Sequence, residues 1–220
     1  MSADTFFYGN PIGSGTDIAN GLLQIRAVEL RPNDLFTWSS GWKSPIYCDN
    51  RLVLSYPVLR DMVIDGFQAT IQTAFPGLNA VVGTATAGIA HAAIVADRLG
   101  LPTAYVRSSA KAHGKQKRTE GRVEQGDRVV VIEDTLSTGN SAYSAVEALQ
   151  DDGVEVLGVL AIVSYDFEVA RARAAAVGVP AYRLVEYSTL VQVAVDKGYI
   201  SPHDVDMLMT WREAPQTFGQ

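Results

Sequence analysis

Three short apolar runs rich in β-branched residues, at 80–82, 128–132 and 154–163, set the rhythm of the central part of the chain. Each leads through small or polar residues into a helical pattern, at 89–99, 141–151 and 168–176. Runs that are apolar on both faces belong inside a sheet covered on both sides, where parallel strands sit. Strands alternating with helices at this spacing form βαβ units. The chain is thereby confined to an α/β fold, with ligand sites expected at the carboxyl ends of the strands.

The flanking segments read differently. Residues 17–30 carry a helical pattern, with Thr16 or Asp17 as its cap, and 57–67 carry another with Pro57 at the favoured first position. Between them lies FTWSSGWKSPIYCDNR, residues 36–51, aromatic and too often interrupted by Gly and Pro for a helix. A segment of this kind suits a small lobe, or hood, over the open end of the sheet. No internal repeat or low-complexity tract breaks the chain. One domain over 1–220 is expected, with a hood from 1 to about 55 plus the C-terminal tail, a core over about 56–185, and a loose end at 214–220.

With 47% apolar residues in 220, the chain has ample material for one core. A net charge of −6 argues against a general binder of nucleic acid or of anionic membranes. The one cysteine, Cys48, leaves no internal disulfide, CxxC pair or zinc knuckle to build. The opening MSADTFFYGN lacks the basic and apolar regions of a signal peptide, and apolar stretches such as 157–163 are too short to span a bilayer. A soluble, cytoplasmic protein is expected.

The chemistry concentrates in VVVIEDTLSTGNSA, residues 129–142. Four apolar residues end in two acids, Glu133 and Asp134. Thr135, Leu136, Ser137, Thr138, Gly139, Asn140 and Ser141 then run into a helix. A hydroxyl-rich loop with a Gly at a helix N-terminus offers free N–H groups and the positive dipole end to a phosphate. Carboxylates at a strand tip can accept hydrogen bonds from vicinal sugar hydroxyls. Together they describe a ribose 5-phosphate site; the bland alternative is a capped helix after a buried strand. The chain has no GxxxxGK[ST] loop, and Gly13-Ser14-Gly15 fails the dinucleotide fingerprint because Ile18 stands at the third Gly.

Residues 107–122 hold Arg107, Lys111, Lys115, Lys117, Arg118 and Arg122, six of the chain's 18 Lys and Arg residues, opposed there by Glu120. Interleaved Ser and Gly suit a segment that closes over a polyanion, although a solvated charged loop has the same composition. His113, His91 and His203 are by themselves ordinary helix or surface residues.

The 129–142 stretch resembles the phosphoribosyl-pyrophosphate (PRPP) motif of type I phosphoribosyltransferases, with Glu-Asp where Asp-Asp is most frequent. YVRSSAKAHGKQKRTEG, beginning at Tyr105, resembles the catalytic loop of orotate phosphoribosyltransferases. That match places Arg107, Lys111 and His113 on PRPP, with Ser108 where the family has a second Lys. Residues 36–51 resemble the family's FxxxSGxxSPxYxDxR segment, which puts the backbone of Tyr47 and Cys48 against orotate. Ser39 stands where a Lys is frequent, and Lys43 is a different position. Residues 189–200 resemble the family's C-terminal segment. GTATAG (83–88) stands at the pyrophosphate loop with Ala87 in place of a Lys, and SYDFE (164–168) lacks an Arg that many members aim at the orotate carboxylate.

The resemblance implies a type I phosphoribosyltransferase-like parallel sheet flanked by helices, with a small N-terminal hood. It implies transfer of phosphoribose from PRPP to orotate, giving orotidine 5′-monophosphate and pyrophosphate. Lys111, His113, Glu133 and Asp134 would be catalytic. Arg107, Ser108, Lys111, His113 and Glu133 through Ser141 would bind PRPP, and Tyr47, Cys48 and Ser137 would bind orotate. No metal ligand set on the chain is implied, Mg²⁺ being held mainly through PRPP. A homodimer sharing the 108–121 loop across its interface is implied, with no nucleic-acid or membrane partner. A purine phosphoribosyltransferase and a non-catalytic PRPP sensor are the competing readings.

Overall fold

The structure, a computed structural model, describes residues 15–38, 41–109 and 118–218. Helix α1 (Gly15–Gln24) leads to strand β1 (Val28–Leu30), and β2 (Phe36–Thr37), β3 (Lys43–Ser44) and β4 (Ile46–Cys48) follow. A 3-10 helix (Asn50–Ser55) then passes into α2 (Pro57–Ala74). The core continues as β5 (Ala80–Thr84), α3 (Gly88–Leu99), β6 (Thr103–Val106), β7 (Thr119–Glu120), β8 (Arg128–Leu136), α4 (Asn140–Asp151), β9 (Glu155–Ser164), α5 (Glu168–Val177) and β10 (Ala181–Glu186). Helices α6 (Tyr187–Asp196) and α7 (Val205–Glu213) end the described chain.

Six strands form one sheet in the order β10-β9-β8-β5-β6-β7, parallel except that β7 runs against β6. Alternation along the central strands divides their side chains between two cores. Val130, Ile132, Leu160 and Ile162 face α1, α2, α3, α6 and α7, while Val129, Val131, Val159 and Ala161 face α4 and α5. All eight are essentially inaccessible, and a fully buried Val, Ile or Leu contributes roughly 1.5–3 kcal/mol. The expected α/β architecture is therefore present, with both faces of the sheet covered.

Three expectations change. The helix read over 17–30 ends at Gln24, because Arg26 adopts a left-handed φ of 58° and Val28–Leu30 pairs antiparallel with β4. Strands β6 and β10 and helices α6 and α7 went unread as elements from periodicity. The tail is not loose throughout: Pro215 is buried and Phe218 packs on the larger core.

The hood is pinned from the far end of the chain. Trp211 of α7 is wholly buried and its Nε1 donates to the Lys43 carbonyl at 3.0 Å. Trp38 Nε1 donates to the Ile46 carbonyl at 3.2 Å, closing the hood on itself. Among the described residues no helix is long and apolar enough to cross a membrane.

Candidate active site

Strand β8 runs four residues past its expected end and so carries Glu133 and Asp134 to the carboxyl edge of the sheet. Successive strand residues point to opposite faces, and the two acids part company. Asp134 lines an open cleft of about 850 Å³, whereas Glu133 is 6% exposed and is not among the lining residues. One Glu133 carboxyl oxygen accepts the Asp134 N–H at 3.1 Å. Burial, and then the neighbouring charge of Asp134, push the Glu133 carboxyl up to about 8. Near neutrality one of the adjacent acids is thus largely protonated and withdrawn, and the other faces the cleft.

Beyond them the chain turns at Gly139, whose φ of +75° is left-handed, into the N-terminus of α4. A Cβ there would lie 2.8 Å from the Tyr143 ring, so both backbone conformation and packing call for glycine. The neighbouring strand β5 ends in a second loop, and its helix α3 starts hard against β8. A Cβ on Gly88 would lie 2.3 Å from the Ile132 carbonyl oxygen. Thr86 and Ala87 before α3, and Ser137, Thr138 and Asn140 at the start of α4, all line the cleft. Two helix N-termini of this kind suit two anionic groups of one ligand.

The facing wall comes from the hood: Thr37, Trp38, Trp42, Tyr47, Cys48, Asp49 and Arg51. Trp38 stacks on Tyr165 at 5.7 Å and on Trp42 at 6.3 Å between ring centroids, and Trp211 meets Trp38 edge-on at 5.7 Å. Arg51 forms a forked pair with Asp49, at 2.6 and 2.9 Å. Burial raises the Cys48 thiol to about 12, so it contributes no thiolate near neutrality. The wall offers flat rings, backbone groups and one guanidinium, a surface fit for a planar, polar-edged molecule.

The structure brings together Tyr47, Cys48, Asp134, Thr135, Ser137, Thr138 and Asn140 around this cleft. Leu136 is a core residue, Gly139 is buried in the turn, and Ser141 points outward on α4. Arg107 pairs with Glu120 at 3.8 Å, and Arg118 bonds the Arg107 carbonyl at 2.9 Å, bracing the hairpin of β6 and β7. Neither Arg107 nor the exposed Ser108 is among the cleft-lining residues. Lys111, His113 and Ser39 lie outside the described residues. Sequence reasoning missed Trp38, Trp42, Arg51 and Tyr165, which line the cleft. The density of aromatics in 36–51 was the available signal for the first two.

A phosphoribosyl transferase domain model matches residues 63–195. The orotate phosphoribosyltransferase of Bacillus cytotoxicus is 53% identical over 199 residues, covering 90% of this chain and 95% of that one. The chain belongs to the orotate phosphoribosyltransferase family. Among solved structures, orotate phosphoribosyltransferase from Aeropyrum pernix is similar with a TM-score of 0.70 and 32% identity, over 84% of this chain and 99% of that one. That of Mycobacterium tuberculosis in complex with PRPP has a TM-score of 0.60 at 28% identity, over 80% and 98% of the two chains. In this orotate phosphoribosyltransferase-family chain, the cleft lies where the loops after β5 and β8 face the hood.

Proposed function

We infer that the chain transfers the 5-phosphoribosyl group of PRPP to orotate, releasing pyrophosphate and forming orotidine 5′-monophosphate. The C1–oxygen bond breaks with its electron pair leaving on pyrophosphate, a ring nitrogen of orotate forms the new bond to C1, and that nitrogen's proton passes to the released pyrophosphate or to solvent. The single observation carrying this reading is the pairing of a strand-tip acid and hydroxyl loop with an aromatic wall across one cleft.

Each wall then has a task. Ser137 through Asn140, with the N-terminus of α4, grip the 5′-phosphate, and Thr86 and Ala87 face the diphosphate. Asp134 holds the ribose hydroxyls and faces the positive charge that develops on the sugar ring. Glu133 supports it from behind through the 3.1 Å bond. Trp38, Trp42 and Tyr165 form the aromatic wall beside the base, and the backbone of Tyr47 and Cys48, with Ser137, reads its edge. Arg107, Ser108, Lys111 and His113 supply the arm that covers the leaving diphosphate and excludes water.

Asp134 and Asp49 are the carboxylates facing the cleft, and no group of three or more His, Cys, Asp or Glu fit to hold a metal occurs among the described residues. Such a donor set suits Mg²⁺ that arrives on the diphosphate and sugar oxygens, with Asp134 as the protein's contribution. There the ion would offset the leaving group's charge.

Loss of orotate absorbance on mixing the protein with orotate, PRPP and Mg²⁺ tests the reading, with adenine, guanine and uracil expected to be inert. Equal turnover of a purine base, or none of orotate with fresh PRPP, would sink it; binding of PRPP without turnover would favour the sensor.

The proposed assembly is a cytoplasmic homodimer in which residues 108–121 reach into the neighbouring site. Leu52, Tyr56 and Val58, exposed apolar side chains just beyond the hood wall, support a subunit contact there. Co-refolded Lys111→Ala and Asp134→Asn chains should then recover roughly a quarter of parental activity, because half the dimers are mixed and each has one unlesioned site. Activity that stays at the mean of the two variants excludes a shared loop.

A further inference from the structure

Asn50 begins the 3-10 helix after the hood wall and is wholly buried. Its side-chain amide reaches the end of β8. Nδ2 donates to the Asp134 carbonyl at 3.2 Å and to the Thr135 hydroxyl at 2.9 Å, groups 84 and 85 residues away in sequence. Both amide protons are committed to the strand tip that carries the cleft-facing acid. The residues on either side, Cys48, Asp49 and Arg51, line the cleft from the hood. One side chain therefore joins the wall that faces the base to the element that faces the sugar.

The surroundings of this amide are costly. Among the described residues, the buried Asn50 Oδ1 has no hydrogen-bond partner. The His91 ring lies against the Asn50 backbone carbonyl and within the field of Asp134, and its burial holds the imidazole below the usual range. An apolar side chain of similar size at position 50 would remove this orphaned acceptor but would also strip the donated bonds from the Asp134 carbonyl and the Thr135 hydroxyl. What the amide supplies at this position is its pair of donated bonds, which packing cannot replace.

We propose that Asn50 is a positioning residue that couples the two subsites, so that a sugar phosphate bound at the strand tip strengthens binding of the carboxylated pyrimidine at the hood. The inference rests on the orotate and PRPP reading of the cleft. Whichever ligand binds first fixes the geometry of the shared bonds, and the second then loses less freedom on binding. By reciprocity the same factor acts in both directions.

Orotate and ribose 5-phosphate test this without turnover, since the sugar has no leaving group. Calorimetric titration of the wild-type protein should give an orotate Kd about tenfold lower with saturating ribose 5-phosphate than without it. In Asn50→Ala and Asn50→Asp the ratio should fall to about one, while ribose 5-phosphate alone binds within about threefold of wild type. Thr135→Val removes one of the two bonds from the other side. It should lower the ratio, and combining it with Asn50→Ala should bring no further loss.

A ratio that persists in folded Asn50 variants, or a ratio of one in the wild type, overturns the proposal. Should the Asn50 variants not fold, Thr135→Val decides: an unchanged ratio there also overturns it. A wild-type protein that binds ribose 5-phosphate but no orotate would instead refute the reading of the cleft, a different result.

Discussion

The strand-tip element at 133–140 and the hood wall at 36–51 face each other across one cleft, yet they are built in opposite ways. The first grows from β8, flanked by β5 and β9, and presents backbone groups and one carboxylate on the most buried strands of the molecule. The second rests on two-residue strands and is held by rings brought from three places in sequence, Trp38, Tyr165 and Trp211. A rigid element suits groups that must stay aimed at a developing charge, and a stacked aromatic wall suits recognition of a flat base. The contrast predicts a division of labour: strand-tip changes should act on turnover, and hood changes on orotate affinity.

The largest effect is expected from Asp134→Asn. The amide keeps the shape and loses the charge that faces the sugar, a loss of roughly 2–4 kcal/mol or about 10²–10³ in kcat. The orotate KM should stay within about threefold. A variant that melts like the parent and turns over at a near-normal rate would make Asp134 structural, and one that loses orotate affinity alone would reverse the division.

Gly139→Ala comes next. The turn holds this position at a left-handed φ of +75°, which costs an alanine roughly 1–2 kcal/mol, and the added Cβ would lie 2.8 Å from the Tyr143 ring. The PRPP KM should rise about tenfold, because the phosphate loop can no longer hold its turn. Initial-rate kinetics at saturating orotate measure this, and an unchanged PRPP KM would remove the loop from phosphate binding.

Trp42→Ala tests the other wall. Trp42 is partly buried, lines the cleft and stacks on Trp38, so its loss should raise the orotate KM about tenfold with little change in kcat. A drop in kcat with an unchanged KM would break the comparison from the hood side.

The same contrast governs what the sequence discloses. Strand, acids, hydroxyl loop and helix follow one another within 129–142, so local pattern suffices to read them. The hood wall exists only once distant rings meet, and Tyr165 or Asn50 carries no local mark of its place. Strand β1 is hidden because Val28–Leu30 continues a helical pattern, and only pairing with β4 makes it a strand. Strand β10 is interrupted by Arg183, 3% exposed and paired with Asp166 and Glu186. A buried cation of this kind argues against a strand until its partners are known. The opposite burial of Glu133 and Asp134 depends on register, since alternation assigns the faces only after β8 is known to extend through them.

That last difference gives the smallest and most selective prediction, Glu133→Gln. Glu133 titrates near 8 in the folded chain, because burial and the Asp134 charge disfavour its ionised form, against about 4.3 when unfolded. Between those values the folded state binds the extra proton. The stability linked to this group is therefore fully present below about pH 4.3 and is lost as pH rises through 8. Glutamine stays neutral throughout and can still accept the Asp134 N–H. The variant should melt close to the parent at pH 5 and progressively above it toward pH 9. The gap should reach on the order of 1–3 kcal/mol, a few degrees for a chain of this size. Its kcat should fall less than tenfold, in contrast to the loss at Asp134. Paired thermal melts at pH 5, 7 and 9 measure the trend. A constant offset across pH would mean that Glu133 is already ionised in the folded protein, and the two acids would then have to be treated as one doubly charged site.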